Sequence, residues 1–138
     1  MKRSPMKRKG MKRDSLDDLF SEYIRKRAMK RVGGCERGAA LGLKCGKKKS
    51  YFELECSHIW GRGDKSVRYD PDNAFGLCPG CHMYFTSHPI EHSEFVLQQL
   101  GQERFDLLRI RAKTPIRGGV DMVLIKLELT QLIKELTP

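Results

Sequence analysis

Apolar positions along the chain fall into short periodic runs separated by glycine- and lysine-rich breaks. Leu16, Leu19, Phe20, Tyr23 and Ile24 recur at helical spacing, which predicts a helix over 14–32 with one apolar face. Asp14 or Ser15 can cap it, Asp17 and Asp18 suit the positive end of its dipole, and Gly33-Gly34 ends it. Cys35–Gly46 shows no such period and reads as a loop, followed by a solvated turn at Lys47-Lys48-Lys49-Ser50. Tyr51–Ile59 alternates instead. Phe52, Leu54, Cys56 and His58 fall on one face of a strand, and Tyr51, Glu53, Glu55 and Ser57 on the other. Gly61–Asp64 is a turn, and Val67–Tyr69 reads as a short return strand. Asn73–Leu77 leads into a helix whose first turn carries Cys81 and His82.

Glu91–Leu100 and Gln102–Arg111 are short helices parted by Gly101. Past a break at Thr114–Gly119, Met122, Ile125, Leu129, Leu132 and Leu136 step by three and four residues, the a/d pattern of a coiled-coil seam. That last amphipathic helix, over 121–136, can pack back on its own chain or form a homodimer with a second copy. The expected organisation is a basic arm over 1–13, a main domain over 14–113 and the C-terminal helix segment over 114–138.

Length and charge sharpen this picture. A chain of 138 residues is one domain in size. With 39% hydrophobic and 32% charged residues, its core is modest and calls for a staple. A net charge of +10 and a pI near 9.6 favour a polyanionic partner. Met1–Arg13 holds seven Lys or Arg and no acid, so it is expected to be a disordered arm, either solubilising or in contact with phosphates. No run of about 18 apolar residues exists, so no membrane span is expected. The basic start is not followed by an apolar segment and is not a secretory signal.

Five cysteines, two of them within Cys78-Pro79-Gly80-Cys81-His82, point to metal binding in a reducing, cytoplasmic setting rather than to a disulfide framework. A tetrahedral zinc takes its ligands as two close pairs. Cys78 and Cys81 make one pair, and Cys35 and Cys45 are the best candidates for the other. Such a staple would hold strand and helix in register, and its binding free energy would be folding free energy. Cys56 is left over, for the core or the edge of a site.

The histidines bring chemistry. Phosphodiester hydrolysis needs an activated water, a counter-charge for the transition state and help for the leaving oxygen. An imidazole can take the proton at neutral pH, and a hard divalent cation needs only one or two protein ligands. His58 and His82 suffice as base and ligand, Asn73 can hold the loop between them, and Arg62 and Arg68 can clamp phosphate oxygens.

Ser57-His58-Ile59, Asn73 and Leu77-Cys78-Pro79-Gly80-Cys81-His82 resemble the HNH endonuclease family, whose fold is the ββα-metal (His-Me) finger. The wider run is similar to phage recombination HNH proteins of the NinG (Rap) type. It includes Leu19–Arg25, Cys56-Ser57-His58, Arg62, Arg68–Asn73, and Phe85 to Pro89 followed by a helix around Phe95. The resemblance implies an α+β fold, a zinc-stapled ββα-metal core flanked by N- and C-terminal helices. It implies His58 as general base, Asn73 as the residue that orients the base's loop, and His82 as ligand of a catalytic Mg²⁺ or Mn²⁺. The implied activity is endonucleolytic cleavage of DNA, on branched recombination or replication intermediates such as four-way junctions, in a bacterial or phage-infected cytosol. Ser57 stands where many members carry an Asp or His as second metal ligand. Asp70, Asp72 or His88 are the residues that could substitute. Ser57 also keeps open an alternative: a non-catalytic, zinc-containing module that binds DNA junctions. An interaction adaptor working through the last helix is a third reading.

Overall fold

The computed structural model describes residues 12–137. Most of the basic arm, residues 1–11, thus lies outside the described residues. Helix α1 spans Ser15–Val32 and the rest of the chain is assembled on it. Asp14 caps it in a reciprocal box: Asp17 N donates to Asp14 Oδ1 and Asp14 N to Asp17 Oδ2, each at 2.8 Å. Phe20, Ile24 and Ala28, four residues apart, are fully buried and form its inward stripe.

Under that stripe lies a two-stranded antiparallel sheet, β1 (Glu55–His58) and β2 (Ala74–Leu77), with Glu55 opposite Leu77 and His58 opposite Ala74. Cys56, His58, Ala74 and Gly76 face α1 by strand alternation. Gly76 is required there, because a Cβ would lie 2.5 Å from the Ala28 Cβ. The opposite face, with Phe75 and Leu77, packs on α3 (Pro79–Ser87) and α4 (Pro89–Leu100). Phe95 stands 5.2 Å, centroid to centroid, from both Phe75 and Phe85.

Two buried charges tie the layers together. Arg27 donates to Pro71 O at 2.8 Å and Ala74 O at 2.7 Å. Glu36, at the start of α2 (Glu36–Leu41), accepts the Gly76 N–H of β2 at 2.8 Å. Helix α5 (Gln102–Lys113) braces the 65–73 loop through Arg111 to Asp70 at 2.7 Å and Arg104 to Asp72 at 2.5 Å. Helix α6 (Met122–Leu136) lays Ile125, Leu129, Leu132 and Leu136 against Phe20, Tyr23 and Ile24 of α1, so the heptad seam past Met122, which stays exposed, is filled within the chain. Among the described residues, no helix is long and apolar enough to cross a membrane.

Several expected elements are corrected. Cys35–Gly46 is not a loop: it holds α2 and a 3₁₀ turn at Lys44–Gly46. Ala39, Ala40 and Leu41 are good helix formers, and the Cys35 sulfur supplies the cap that the periodicity did not announce. The strand over Tyr51–Ile59 shrinks to Glu55–His58, because Ser50 and Glu53 close a capping box that winds Tyr51–Glu53 into a 3₁₀ turn. The expected inward face fails with it, since Phe52 is 76% exposed while Ser57 is buried. The return strand is Ala74–Leu77, and the stretch expected to pair, Val67–Tyr69, begins on the last residue of a 3₁₀ turn at Lys65–Val67.

His92 of α4 is buried, stacked on Phe85 at 4.7 Å and 9°, and its Nε2 has no hydrogen-bond partner among the described residues. Burial, helped by nearby His82, pulls its pKa down to about 4. The unfolded chain, with an ordinary imidazole near pH 6.5, therefore binds this proton first as pH falls. Stability from neutral His92 is full above about pH 6.5 and fades toward pH 4, by on the order of 1–3 kcal/mol. A His92→Phe variant keeps the stack and removes the proton site. At pH 7 its urea-unfolding free energy is expected within about 1.5 kcal/mol of wild type, and at pH 4.5 it should retain more of its neutral-pH value.

Candidate functional site

Two knuckles converge at the base of α3. Cys35 caps α2 and its sulfur accepts the Gly38 N–H at 3.4 Å; Cys78 caps α3 and its sulfur accepts the Cys81 N–H at 3.5 Å. Cys45 reaches the same point because Gly38 has no side chain: a Cβ there would lie 2.4 Å from the Cys45 sulfur. The sulfurs of Cys35, Cys45, Cys78 and Cys81 all lie within 4.8 Å of one another. Cys45 and Cys81 are 3.7 Å apart, against about 3.8 Å for the edge of a tetrahedron with zinc–sulfur bonds of about 2.3 Å.

Burial pushes the Cys35 thiol up to about 12 and the Cys45 thiol up to about 11, with the neighbouring sulfurs adding to both. Cys78 is also opposed by burial, but hydrogen bonds from the other three cysteines bring it below the ordinary value. Arg37 Nη1 stands 3.4 Å from the Cys81 sulfur, a counter-charge for a thiolate set, and its guanidinium lies 4.1 Å over the Tyr84 ring. Four thiols so placed can hold a structural metal such as zinc.

Above the knuckles, the 59–73 loop is clasped by one side chain. Asn73 is fully buried. Its Nδ2 donates to Trp60 O at 2.8 Å and Val67 O at 2.9 Å, and its Oδ1 accepts the Trp60 N–H at 2.9 Å. The loop therefore has a fixed shape, and Arg62 leaves it at a fixed point, while His58 is held at the end of β1.

A pocket of about 660 Å³ runs along β1. One wall is a stripe of α1, Asp17, Ser21 and Arg25; the other includes His58, Arg62 and His82. Arg13 lies at its rim and pairs with Asp18. Arg25 is steadied by its Nε donating to Ser21 Oγ at 3.0 Å. The His58 ring leans on Phe20 at 5.5 Å, and its Nε2 has no partner among the described residues. Burial and then the Arg62 cation pull its pKa down to about 4, so it is a neutral imidazole at physiological pH. His82 Nδ1 and Glu55 Oε1 are 2.9 Å apart, which orients the ring, and Nε2 makes no hydrogen bond among the described residues.

The sequence-chosen residues thus divide. The four cysteines meet, and His58, His82 and Arg62 share the pocket. Asn73 holds their loop. Arg68 does not belong with them. It is buried and forks onto Asp17 at 3.0 and 2.5 Å, with Lys12 O at 3.0 Å. Removing one partner from such a buried pair costs about 3–5 kcal/mol. A charged hydrogen bond to a phosphate returns only about 1.5–3 kcal/mol. Arg68 is therefore a structural brace.

Ser57 is buried, its Oγ has no partner among the described residues, and it does not line the pocket. Asp70 and Asp72 are engaged by Arg111 and Arg104, and His88 stacks on Tyr84 at 3.9 Å. None of the three lines the pocket. The residues that do complete it, Glu55, Arg25 and Arg13, escaped the sequence reading. Glu55 had one signal: it lies three residues before His58. Cys56 lines the pocket, and burial pushes its thiol up to about 12.

The chain matches no family model, and no curated protein or solved structure is similar to it. Its chemistry is therefore read from the side chains themselves.

The cysteine geometry makes a specific prediction. Elemental analysis of the purified chain should find one zinc per molecule. Cys78→Ser should lose the metal and the cooperative thermal transition, whereas Cys56→Ser should keep both. Zinc retained in Cys78→Ser would exclude the four-cysteine site.

Proposed function

We propose that this protein is a metal-dependent DNA endonuclease of the HNH type, its β1–β2–α3 unit serving as a ββα-metal core stapled by zinc. The observation that carries this reading is the pocket along β1. A neutral imidazole whose Nε2 has no partner among the described residues, a second histidine held by a carboxylate, and three arginines line one open cavity on a strongly basic chain.

Each part has a role on this reading. His58 takes the proton of the attacking water, which must reach an Nε2 that is buried and has no partner among the described residues. A phosphate in the pocket raises the His58 pKa, because its negative charge opposes the depression from Arg62 and burial. Arg62, Arg25 and Arg13 bind phosphate oxygens and the charge that develops on them. Asn73 is a positioning residue, holding the loop from which Arg62 projects. His82, with Glu55 beside it, would hold a divalent cation that keeps waters in its other positions. That ion would supply positive charge to the phosphate and the leaving oxygen. Ser57 is not used as a ligand.

The wider setting proposed is that of phage-type recombination or replication proteins acting on branched DNA in the cytoplasm. A second reading, a DNA-binding zinc module without cleavage, is favoured by the buried Ser57, which leaves the cation site with few protein ligands. In either case the apolar residues that α6 leaves exposed for a homodimer are Met122, Val123, Leu124 and Leu127.

The test is cleavage of plasmid and of a synthetic four-way junction, with and without Mg²⁺ or Mn²⁺. Wild type should cut only with metal, and His58→Ala should lower the rate by about 10²–10⁴-fold while keeping its zinc and its junction affinity. Wild type that binds junctions tightly and never cuts would establish the second reading. A paired comparison separates the arginines. Arg62→Gln should leave the thermal midpoint nearly unchanged and weaken DNA binding, whereas Arg68→Gln should destabilise the fold by about 3–5 kcal/mol. The opposite pattern would reverse their roles.

A further inference from the structure

Just outside the pocket, the chain displays an aromatic pair in water. Tyr51 and Phe52 stack with ring centroids 4.2 Å apart and planes 28° from parallel. Phe52 is 76% exposed, an arrangement that burial energetics alone does not favour. The pair is not a floppy loop tip. Ser50 Oγ accepts the Phe52 N–H at 3.2 Å, and Glu53 Oε2 accepts the N–H groups of Lys49 at 2.7 Å and Ser50 at 3.2 Å. Lys48 N donates to Gly33 O at 2.9 Å, and Leu54 is buried in the core directly after the turn. The backbone that carries the rings is therefore held in place.

Charge surrounds them. The Arg25 guanidinium and the Lys26 ammonium each lie 5.1 Å from the Tyr51 ring centroid, bracing it. Lys47, Lys48 and Lys49 precede it. Of the acids nearby, Glu53 is tied to backbone N–H groups and Glu22 is paired with Lys26 at 3.2 Å. Arg25 is shared: it lines the pocket and touches the Tyr51 ring. A strand whose phosphate lies at Arg25 would bring a neighbouring base to these rings.

We propose that Tyr51 and Phe52 form a stacking platform for an unpaired nucleobase, so that the pocket takes nucleic acid at a single-stranded stretch. This rests on the reading of the pocket as a phosphate-binding site. Stacked bases in a duplex already cover both faces and cannot reach the platform, whereas every unpaired base has a free π-face. Cations around an aromatic surface match a nucleic-acid strand, with phosphates and bases alternating, better than they match an apolar protein face.

The test measures binding at one fixed salt concentration, without divalent metal. Labelled probes are a single DNA strand, the same sequence as RNA, the blunt duplex, and that duplex with a single-stranded tail. Phe52→Ala should weaken the single strand and the tailed duplex roughly 5- to 100-fold and leave the blunt duplex within about twofold. Phe52→Trp should restore both, and zinc content should be equal in all variants. The DNA and RNA arms decide which sugar the site accepts. Equal weakening of all probes, or of none, would overturn the platform. So would a Phe52→Ala effect confined to self-association, which would assign the rings to a protein contact. Failure of the nuclease reading is separate: a chain that never cuts but loses single-strand binding in Phe52→Ala keeps the platform, and one that cuts but binds single strands normally in Phe52→Ala does not.

Discussion

Four thiols within 4.8 Å of one another are a constraint that the rest of the structure obeys. Two come from the 35–46 segment and two from the start of α3, and neither segment has a large apolar face of its own. Bringing them together fixes the angle at which α3 leaves β2, and with it the position of His82 one residue beyond the last ligand. Neutral thiols packed this way lose hydration without strong partners, and a bound cation such as zinc would make the arrangement favourable. Gly38 and Gly76 show how close the approach is, each filling a place where a single methyl would strike its neighbour.

From that base, the pocket is assembled by a division of labour among charges. Arg27, Glu36 and Arg68 are buried and spent on the backbone or on Asp17; Arg13, Arg25 and Arg62 face the cavity. Burial separates the two sets, since a charge committed to the interior cannot be withdrawn without leaving its partner unpaired. The histidines divide in the same manner. His92 and His58 are both pulled to about pH 4 by burial, but only His58 lines the cavity, beside Arg62. A depressed pKa alone therefore does not mark a site; its position beside open space and other functional groups does.

Local chemistry explains which expectations held. The helix stops at Gly33 and Gly101 and the clasp by Asn73 depend on backbone conformation or on one side chain and backbone groups along the same stretch, and these were legible. The sequence narrows the cap of α1 to Asp14 or Ser15, and its reciprocal box with Asp17 comes from the structure. The same locality misled at Tyr51–Glu53, where period-two alternation pointed to a strand and the Ser50–Glu53 box wound a turn instead. At Cys35–Gly46 the sulfur cap was invisible to periodicity. The seam of α6 was read correctly as a seam, but its partner, α1 of the same chain, is more than ninety positions away.

By itself, the sequence determined the donor types and their spacing: five cysteines with one C-x-x-C-H, an asparagine able to clasp a loop, and a large positive charge. Those are properties of residues and short intervals. Only the tertiary structure decided that Cys35 and Cys45, the best candidates by sequence, close on Cys78 and Cys81, that Arg68 braces Asp17 while Arg62 lines the pocket, and that Glu55 steadies His82. Each of these depends on the distance between segments far apart in the chain. That distance is set by how closely α1, the two strands and α3 pack, which no local pattern encodes.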